Sequence, residues 1–202
     1  MNDQVQNSQS WNCREYDDMQ RFISYWHQID QVRRLAPTKL LEVGVGNGFV
    51  SEYLYKWNMP VVTLDIEVTL NPDVAGTLLH LPFKDSVFDA VLCCEVLEHL
   101  PYASFVPCLK ELARVSQRHI IISLPDREFA LPLRVGHFKK LFIVPRLIWR
   151  NFGISLAHQW EIGQRGLSSA RLIRDIRAAG LVIRSTYRVF ENPYHRFFVI
   201  TK

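Results

Sequence analysis

The sequence has few cysteines and no long apolar run, and these shortages remove several classes of protein. Its 202 residues include four cysteines, at positions 13, 93, 94 and 108, without the C-x-x-C spacing of zinc or redox sites. Two of them are adjacent in an apolar segment, which favours buried thiols over disulfides, and we expect no metal site. Residues 1–10 lack the profile of a signal peptide, so we expect a disordered tip and a cytoplasmic protein.

Internal repeats and low-complexity tracts are also absent, and the length suits one α/β domain that spans residues 1–202. The net charge of +4 hides an asymmetry along the chain. Residues 1–100 carry 7 basic and 14 acidic side chains, whereas residues 101–202 carry 17 basic and 6 acidic ones. One interpretation is an anionic substrate at the C-terminal half, and the other is a set of solvated helix faces.

Apolar segments alternate between the spacing of strands and that of helices. Helical spacing occupies 11–36, where one or two helices are predicted. Short apolar runs typical of buried strands occur at 39–43, 60–67, 87–96 and 119–125, and a further strand is predicted within TLLHLPF, residues 77–83. Strands that alternate with helices indicate a mostly parallel sheet covered by helices on both faces.

The last part of the chain departs from this alternation. After a predicted helix that ends at Gly180 come two strand-like stretches, LVIRSTYRVF and RFFVITK, joined by about five residues. So short a link cannot cross over the sheet, and the two strands should be antiparallel neighbours. Earlier in the chain, Ser104 is predicted to cap the helix FVPCLKELARV.

The segment LEVGVGNG places Glu42 and three glycines, Gly44, Gly46 and Gly48, at the exit of the first predicted strand. A helix that starts there directs free N–H groups at a ligand, and glycines let the ligand approach the backbone. The spacing is not the G-x-G-x-x-G of a dinucleotide turn, and Glu42 would repel a pyrophosphate. Asp65, at the end of the next strand, can accept both hydroxyls of a ribose. A cationic nucleoside without phosphate fits these features.

These motifs resemble those of the class I S-adenosylmethionine-dependent methyltransferases, most closely the type 11 subgroup that includes the ubiquinone and menaquinone biosynthesis enzymes. LEVGVGNG is similar to the family's glycine loop, VVTLDIE to its second motif, and LPFKDSVFDAVLCCEVLEHLP to the subgroup's LPF-x-D-x-x-FD-x-V run followed by EHL. The resemblance implies a Rossmann-like αβα sandwich whose seven-stranded, mostly parallel sheet has an antiparallel last strand. It also implies S-adenosyl-L-methionine as cofactor.

The resemblance further implies the residues that would hold the cofactor. Gly44, Gly46 and Gly48 would pass under its methionine part while Glu42 binds its amino end. Asp65 would bind the ribose, Ile66 and Leu78 would lie beside the adenine, and the Cys94 backbone would lie near the methionyl group. Thr77 stands where the subgroup has Asp, so one uncharged acceptor would meet the adenine amino group and cofactor affinity should be weaker.

Methyl transfer from a sulfonium depends mainly on alignment and on exclusion of water, so a catalytic base is optional. His99 is one candidate base, with helix capping or packing as the alternative. His158 and Glu161 are candidates for a direct substrate role, and Trp160 between them either packs or forms an aromatic wall. Tyr16 and Tyr25 lie in the predicted cofactor-covering helices, where core packing is the alternative to a role in the site.

Residues 126–166 exceed the usual length of a strand-to-helix connection and are interpreted as an inserted cap or lid. Within them, 134–150 carries five basic side chains and no acid, interleaved with apolar ones. One or two helices broken at Pro145 are predicted. Three readings stay open, namely a substrate lid, a basic amphipathic patch on anionic lipid, and a helical cap packed on the core.

The first functional hypothesis is a methyltransferase for a small or lipid-linked, anionic acceptor, such as a glycan, a glycolipid or a ring-bearing metabolite. A nucleic-acid methyltransferase is permitted by the basic half. The absence of an RNA-binding module and of an N/D-P-P-Y motif makes nucleic acid an unlikely partner. A third hypothesis is a cofactor-binding module without activity. The glycine spacing disfavours a nicotinamide-dependent oxidoreductase, and the oligomeric state is left open.

Overall fold

The computed structural model describes residues 17–128, 131–135, 139–143, 157–164 and 166–202. The predicted tip at 1–10, Tyr16 and most of the basic segment lie outside the described residues. The helices are α1 (Met19–Leu35), α2 (Phe49–Lys56), α3 (Phe105–Val115) and α4 (Ser169–Ala178). The strands are β1 (Leu40–Val43), β2 (Val61–Asp65), β3 (Val74–Ala75), β4 (Phe88–Cys94), β5 (Ser116–Pro125), β6 (Leu131–Val135), β7 (Lys139–Ile143), β8 (Val182–Arg188) and β9 (His195–Thr201).

Seven strands form one sheet in the order β3-β2-β1-β4-β5-β9-β8. β9 is antiparallel to both of its neighbours, and the other pairs are parallel. This confirms the predicted Rossmann-like sandwich with an antiparallel last strand. The strand order reverses between β1 and β4, and in open α/β sheets ligands bind at the carboxyl edge of such a point.

The core lies on both faces of the sheet because alternate residues of each buried strand point to opposite sides. On one face Leu41 and Val43 pack in a cluster with α3 and α4. On the other face Leu40 packs with α1 and α2, through residues such as Val32 and Leu54. Glu42 shares the parity of Leu40 along β1, so the sequence alternation turns this carboxyl group toward the α1 and α2 side.

Two predictions about local structure are wrong. TLLHLPF is not a strand, because Thr77 and His80 close a turn from which Leu78 and Leu81 enter the core. The third strand is instead Val74–Ala75, paired with the end of β2. Ser104 makes no capping hydrogen bond, because it ends a short 3-10 turn, Tyr102–Ser104, that runs directly into α3.

The basic segment contains strands where helices were predicted. Leu131–Val135 pairs antiparallel with Lys139–Ile143, in a register that joins Leu131 to Ile143 and Val135 to Lys139. Apolar residues at 131, 133, 135, 141 and 143 repeat every second position, which suits a hairpin better than a helix. Residues 144–156 lie outside the described residues. Within the described ranges, no helix has both the length and the apolar character needed to cross a membrane.

Candidate functional site

A cavity of about 330 Å³ opens at the carboxyl ends of β1, β2 and β4, where the strand order reverses. Side chains of α1 cover it, and loops that follow the three strands form its walls. The predicted cofactor residues that line it are Glu42, Gly44, Gly46, Asp65, Ile66, Thr77, Leu78 and Cys94. Gly48 lies just behind as the residue that precedes α2. The structure therefore brings together residues that are up to 52 positions apart in the sequence.

Glu42 is a buried carboxyl group with spare hydrogen-bonding capacity. Only 4% of the residue is exposed, and its Oε2 atom has no hydrogen-bond partner among the described residues. Loss of hydration raises the pKa of Glu42 to about 8, and the nearby Ser51 hydroxyl opposes that rise. A buried oxygen without a partner costs free energy, and an ammonium group in the cavity would satisfy it.

Gly44 lines the cavity where the glycine loop approaches the loop after β4. Its φ of +86° is disfavoured for residues with a side chain, and a Cβ there would overlap Val96. Its N–H donates to the carbonyl of Leu64 at 2.9 Å, which holds the glycine loop against β2. Only glycine allows the backbone to pass this close to the loop after β4.

Asp65 and Ile66 occupy the rim at the end of β2. The Asp65 carboxylate accepts hydrogen bonds from the N–H groups of Val45 at 2.8 Å and Glu67 at 2.9 Å, one on each oxygen. Each oxygen keeps a second lone pair that a ribose hydroxyl could use. Ile66 is 76% exposed, an unusual position for a large apolar residue unless a flat apolar ligand covers it.

Thr77 and Leu78 form the wall that faces the rim. The Thr77 hydroxyl accepts a hydrogen bond from the N–H of Leu79 at 3.3 Å, and Leu78 is buried beside the cavity. Position 77 contributes a threonine, and not an acid, to this wall.

The loop that follows β4 carries Cys94 and Glu95. Burial raises the pKa of the Cys94 thiol, so the thiol is neutral. Glu95 has a φ of +55°, in the left-handed region that residues with side chains seldom occupy. Its carboxylate accepts a hydrogen bond from the Ser123 hydroxyl at 2.8 Å. A strained backbone held between two strands at a cavity is typical of a functional loop.

The three candidate catalytic residues converge beside this loop. The ring centroids of His99 and His158 are 5.0 Å apart, and His158 Nδ1 lies 2.7 Å from Glu161 Oε1. His99 lines the cavity and burial lowers its pKa, so its imidazole is neutral at physiological pH. Glu161 is fully buried and pairs with Arg127, which suits a residue that orients His158.

Trp160 packs in the core, and the reading as an aromatic wall for the acceptor is wrong. It is 3% exposed, its indole N–H donates to the Leu100 carbonyl at 2.9 Å, and its ring meets Tyr102 and Phe105 edge to face. Tyr25 is buried and stacked on Phe49, yet it also lines the cavity.

Several residues of the site carry no recognisable signal in the sequence. Arg21 and Gln28 of α1 line the cavity, although helical periodicity alone cannot say which polar positions face a ligand. Tyr194 donates a hydrogen bond to Glu161 at 2.9 Å across 33 residues of sequence. Glu98 belongs to the EHL motif and Glu95 lies three residues before it, so these two acids did carry a signal, although neither was a predicted site residue.

The comparisons with known proteins agree with this geometry. Residues 41–122 match a family model described as a methyltransferase domain. An uncharacterized protein of Methanocaldococcus jannaschii is 29% identical over 114 residues, which are 52% of this chain and 49% of that protein. The chain thus spans about half the length of the curated relative that it matches.

Solved structures with the same fold include a SAM-dependent methyltransferase of Aquifex aeolicus, with a TM-score of 0.64 and 15% identity over 96% of this chain and 98% of that one. The 1,6-didemethyltoxoflavin-N1-methyltransferase of Burkholderia thailandensis has a TM-score of 0.65 and 14% identity, over 96% and 83% of the two chains. The magnesium protoporphyrin IX methyltransferase of Synechocystis has a TM-score of 0.57 and 17% identity, over 91% and 83%.

Residues 41–122 thus match a methyltransferase domain, and the chain has the fold of solved S-adenosylmethionine-dependent methyltransferases. The match and the fold agree with the predicted family, enzyme class and cofactor. At such low identities the solved structures establish the fold of the methyltransferase and leave its acceptor open. The roles assigned above to single residues of the cavity stay predictions.

Proposed function

We propose that this methyltransferase transfers a methyl group from S-adenosylmethionine to a small or lipid-linked, anionic acceptor. Glu42 is the observation that carries the proposal for the donor half of the site. It is a buried carboxyl group with an unpartnered oxygen at the floor of a cavity with a ribose acceptor, Asp65, on its rim. That combination fits the ammonium and sugar of the cofactor.

The residues of the domain would bind the cofactor in sequence along the cavity. Glu42 accepts hydrogen bonds from the ammonium, the Gly44 loop allows close approach of the methionine part, and Asp65 accepts from the ribose. Ile66 and Leu78 enclose the adenine. Bound S-adenosylmethionine supplies an electrophilic methyl group on a sulfonium, and the protein contributes mainly alignment and the exclusion of water.

The acceptor side of the site lies beside His99 and contains several cationic or proton-accepting groups. Arg21 lines the cavity, and Arg127 lies behind it next to Glu161. An anionic acceptor would be attracted by this arrangement and by the basic C-terminal half of the chain. His99, a neutral imidazole, and His158 in the same corner are the proposed bases for an acceptor that loses a proton. Two of the solved enzymes that share this fold are named as methyltransferases of small molecules, which supports an acceptor of that size.

Calorimetric titration with S-adenosylmethionine, S-adenosylhomocysteine and NADH tests the donor half. We expect binding of the two sulfur nucleosides and none of NADH. In Asp65→Ala and Glu42→Gln the affinity should fall roughly 10- to 100-fold, since each change removes a hydrogen bond to a polar or charged group. Asp85→Ala, at an exposed position outside the cavity, is the control and should bind as the wild type does. Failure of both nucleosides to bind would refute the proposal.

A lipid-linked acceptor is tested separately, by flotation with vesicles. Residues 134–150 are the proposed contact with an anionic membrane. The chain should float with vesicles that contain anionic phospholipid and not with neutral ones, and replacement of Lys139 and Lys140 by Gln should abolish flotation. Equal flotation with both kinds of vesicle, or none with either, would leave only the small-molecule acceptor. Cofactor binding without turnover on any acceptor would indicate a non-catalytic module.

A further inference from the structure

Glu98 is a fully buried acid that the structure leaves without a hydrogen-bond partner. It lies in a 3-10 turn, Leu97–His99, which begins two residues after the strained Glu95. Its exposure is 0%, and both carboxyl oxygens lack a partner among the described residues. Buried carboxyl groups are almost always hydrogen-bonded, ion-paired or bound to a metal, because an isolated one is costly. The position therefore calls for a ligand.

Two imidazoles approach this carboxyl group from different parts of the chain. Glu98, His99 and His158 can each offer one ligand atom such that all three atoms lie within 4.8 Å of one another. His99 follows Glu98 in the same turn, while His158 comes from the segment before α4. A cation between the three side chains would satisfy the unpartnered oxygens of Glu98.

Each of the two histidines is oriented by a hydrogen bond at its Nδ1 atom. His99 Nδ1 lies 2.9 Å from the carbonyl oxygen of Ala157, which can only accept, so Nδ1 carries the proton and Nε2 carries the lone pair. His158 Nδ1 donates in the same way to Glu161 Oε1 at 2.7 Å. Histidines that bind metals show this pattern, with the second ring nitrogen donating to a carboxylate or a carbonyl group.

Glu161 is itself fixed in place, as the outer partner of a metal ligand must be. It is fully buried, accepts a hydrogen bond from Tyr194 at 2.9 Å and pairs with Arg127. It thus differs from Glu98, whose oxygens have no such partners. The contacts of Glu161 suit it to orient the imidazole of His158, whereas the unpartnered oxygens of Glu98 suit it to bind a cation.

We propose that Glu98, His99 and His158 form a binding site for a divalent first-row transition metal at the wall of the cofactor cavity. One carboxylate and two imidazoles favour manganese, iron, cobalt or zinc over magnesium or calcium. Three protein ligands leave coordination positions open, and His99 places the open side toward the cavity. The prediction of no metal site rested on the spacing of the cysteines, which says nothing about a cluster of one glutamate and two histidines.

A metal at this place would define the acceptor more closely. It would bind an oxygen of the acceptor in an open position and lower the pKa of a hydroxyl group there, so that His99 and His158 act as ligands and not as bases. This consequence rests on the proposed methyl transfer, whereas metal binding does not. An oxygen-bearing acceptor with a hydroxyl as the methylated group is the class that this site favours.

Equilibrium binding of Zn²⁺ and Mn²⁺ to the chelator-treated chain, without cofactor or acceptor, tests the site. We expect one ion per chain, and at least about 100-fold weaker binding in Glu98→Gln and in His158→Gln. Glu161→Gln should weaken binding about 10- to 100-fold, as loss of the outer partner of a ligand does. His80→Gln, at an exposed histidine away from the cluster, is the matched control and should bind as the wild type does. The visible spectrum of added Co²⁺ gives a second readout, which should vanish in the same two variants.

Two further measurements distinguish a loss of metal binding from a loss of folding and from a failure of the proposed methyl-donor site. Glu98→Gln replaces a buried unpartnered acid by a neutral group, so the metal-free variant should unfold at no lower temperature than the metal-free wild type. Absence of stoichiometric binding, or equal binding by the wild type and both cluster variants, would overturn the metal site. Binding of S-adenosylhomocysteine is measured on the same samples, so that failure of the donor proposal is seen independently.

Discussion

Burial favours the neutral form of the Glu42 carboxyl group, whereas the predicted contact with the ammonium of the cofactor favours its ionised form. In the cofactor-free chain its pKa is raised to about 8, whereas in the unfolded chain it is near 4.5. Between these values the folded state binds more protons than the unfolded state, so this group makes the protein less stable as pH rises. The carboxylate form, which an ammonium would stabilise, is the costly form when the cavity contains no cation.

The replacement Glu42→Gln should therefore remove a pH-dependent loss of stability. Between pH 6 and pH 8 the wild type should lose about 1–3 kcal/mol relative to the variant in its free energy of unfolding. Urea unfolding at both pH values, without cofactor, measures the difference. Glu98 changes stability in the same direction in both proteins, so the comparison isolates Glu42. Parallel pH profiles for the two proteins would show that Glu42 ionises normally.

Gly44 and Gly180 allow the loss of stability caused by an added side chain to be compared at two sites with similar backbone angles. Their φ values are +86° and +83°, but a Cβ at Gly44 would overlap Val96, whereas a Cβ at Gly180 would meet nothing within 4 Å. Gly180→Ala should cost about 1–2 kcal/mol of stability, from the left-handed backbone alone. Gly44→Ala should cost about 1–3 kcal/mol more, as overpacking does, and should abolish cofactor binding.

Urea unfolding of both variants, and of Gly44→Ala combined with Val96→Ala, measures the two contributions. The double variant should regain part of the stability, because the added methyl group then has room. Equal losses for Gly44→Ala and Gly180→Ala would mean that the loop after β4 moves away freely and does not fix the cavity floor.

At the scale of elements, α1 covers the cavity. It contributes Arg21, Tyr25 and Gln28 to the lining, and other side chains of α1 contact the last strands of the chain. The Ser24 hydroxyl lies 2.8 Å from His195 Nδ1, and Asn192 donates to the Gln20 carbonyl at 3.2 Å. A helix that touches both the ligand and the sheet should become more stable when the ligand binds.

Hydrogen exchange should show this stabilisation locally. Saturating S-adenosylhomocysteine should slow exchange of the amides in Met19–Leu35 by roughly 10-fold or more, since local opening of α1 would then require release of the ligand. α4, Ser169–Ala178, lines no part of the cavity and is the internal control. Equal protection of α1 and α4 would indicate a global effect and would remove the case for α1 as a cover.

Elements whose hydrophobic pattern fits only a strand or only a helix could be predicted from the sequence. Elements whose pattern is compatible with both could not. β1, β2, β4 and β5 are continuous apolar runs with glycine, proline or acid at their ends, and the short link before β9 required an antiparallel pair. In the segment 131–143 alternate apolar residues favour strands, but the basic residues interleaved with them also suit the amphipathic helix that was predicted. TLLHLPF contains enough leucine for a strand, but tertiary packing uses two of its leucines from a turn.

At the scale of the whole molecule, the donor half of the site was predictable and the acceptor half was not. Glu42, the glycines and Asp65 follow from short motifs, because the chain itself places them at neighbouring strand ends. The contacts of His158 with His99 and Tyr194 join residues separated by 59 and 36 positions, and only the folded sheet brings them together. The pairing of β9 between β5 and β8 sets Tyr194 beside His158 and Glu161, and no local pattern in the sequence indicates that contact.

The carboxyl edge of this half of the sheet is held by Asp126, which joins three strands. Directly after β5 and 3% exposed, it accepts hydrogen bonds from Arg188 Nε of β8 at 2.8 Å and from Arg196 Nε of β9 at 2.5 Å. Asp126→Asn would leave two largely buried guanidinium groups without their counter-charge. We expect a loss of about 3–5 kcal/mol in the free energy of unfolding, as when one partner of a buried ion pair is removed.

The exposed pair of Asp85 with Arg114 supplies the control, since Asp85→Asn should cost less than about 1 kcal/mol. Urea unfolding with an unchanged m-value would show that the native fold persists and only its stability falls. The network lies beside Arg127 and Glu161, so Asp126→Asn should also weaken the orientation of His158. A small loss, similar to that of Asp85→Asn, would mean that packing of β9 alone fixes the acceptor side of the site.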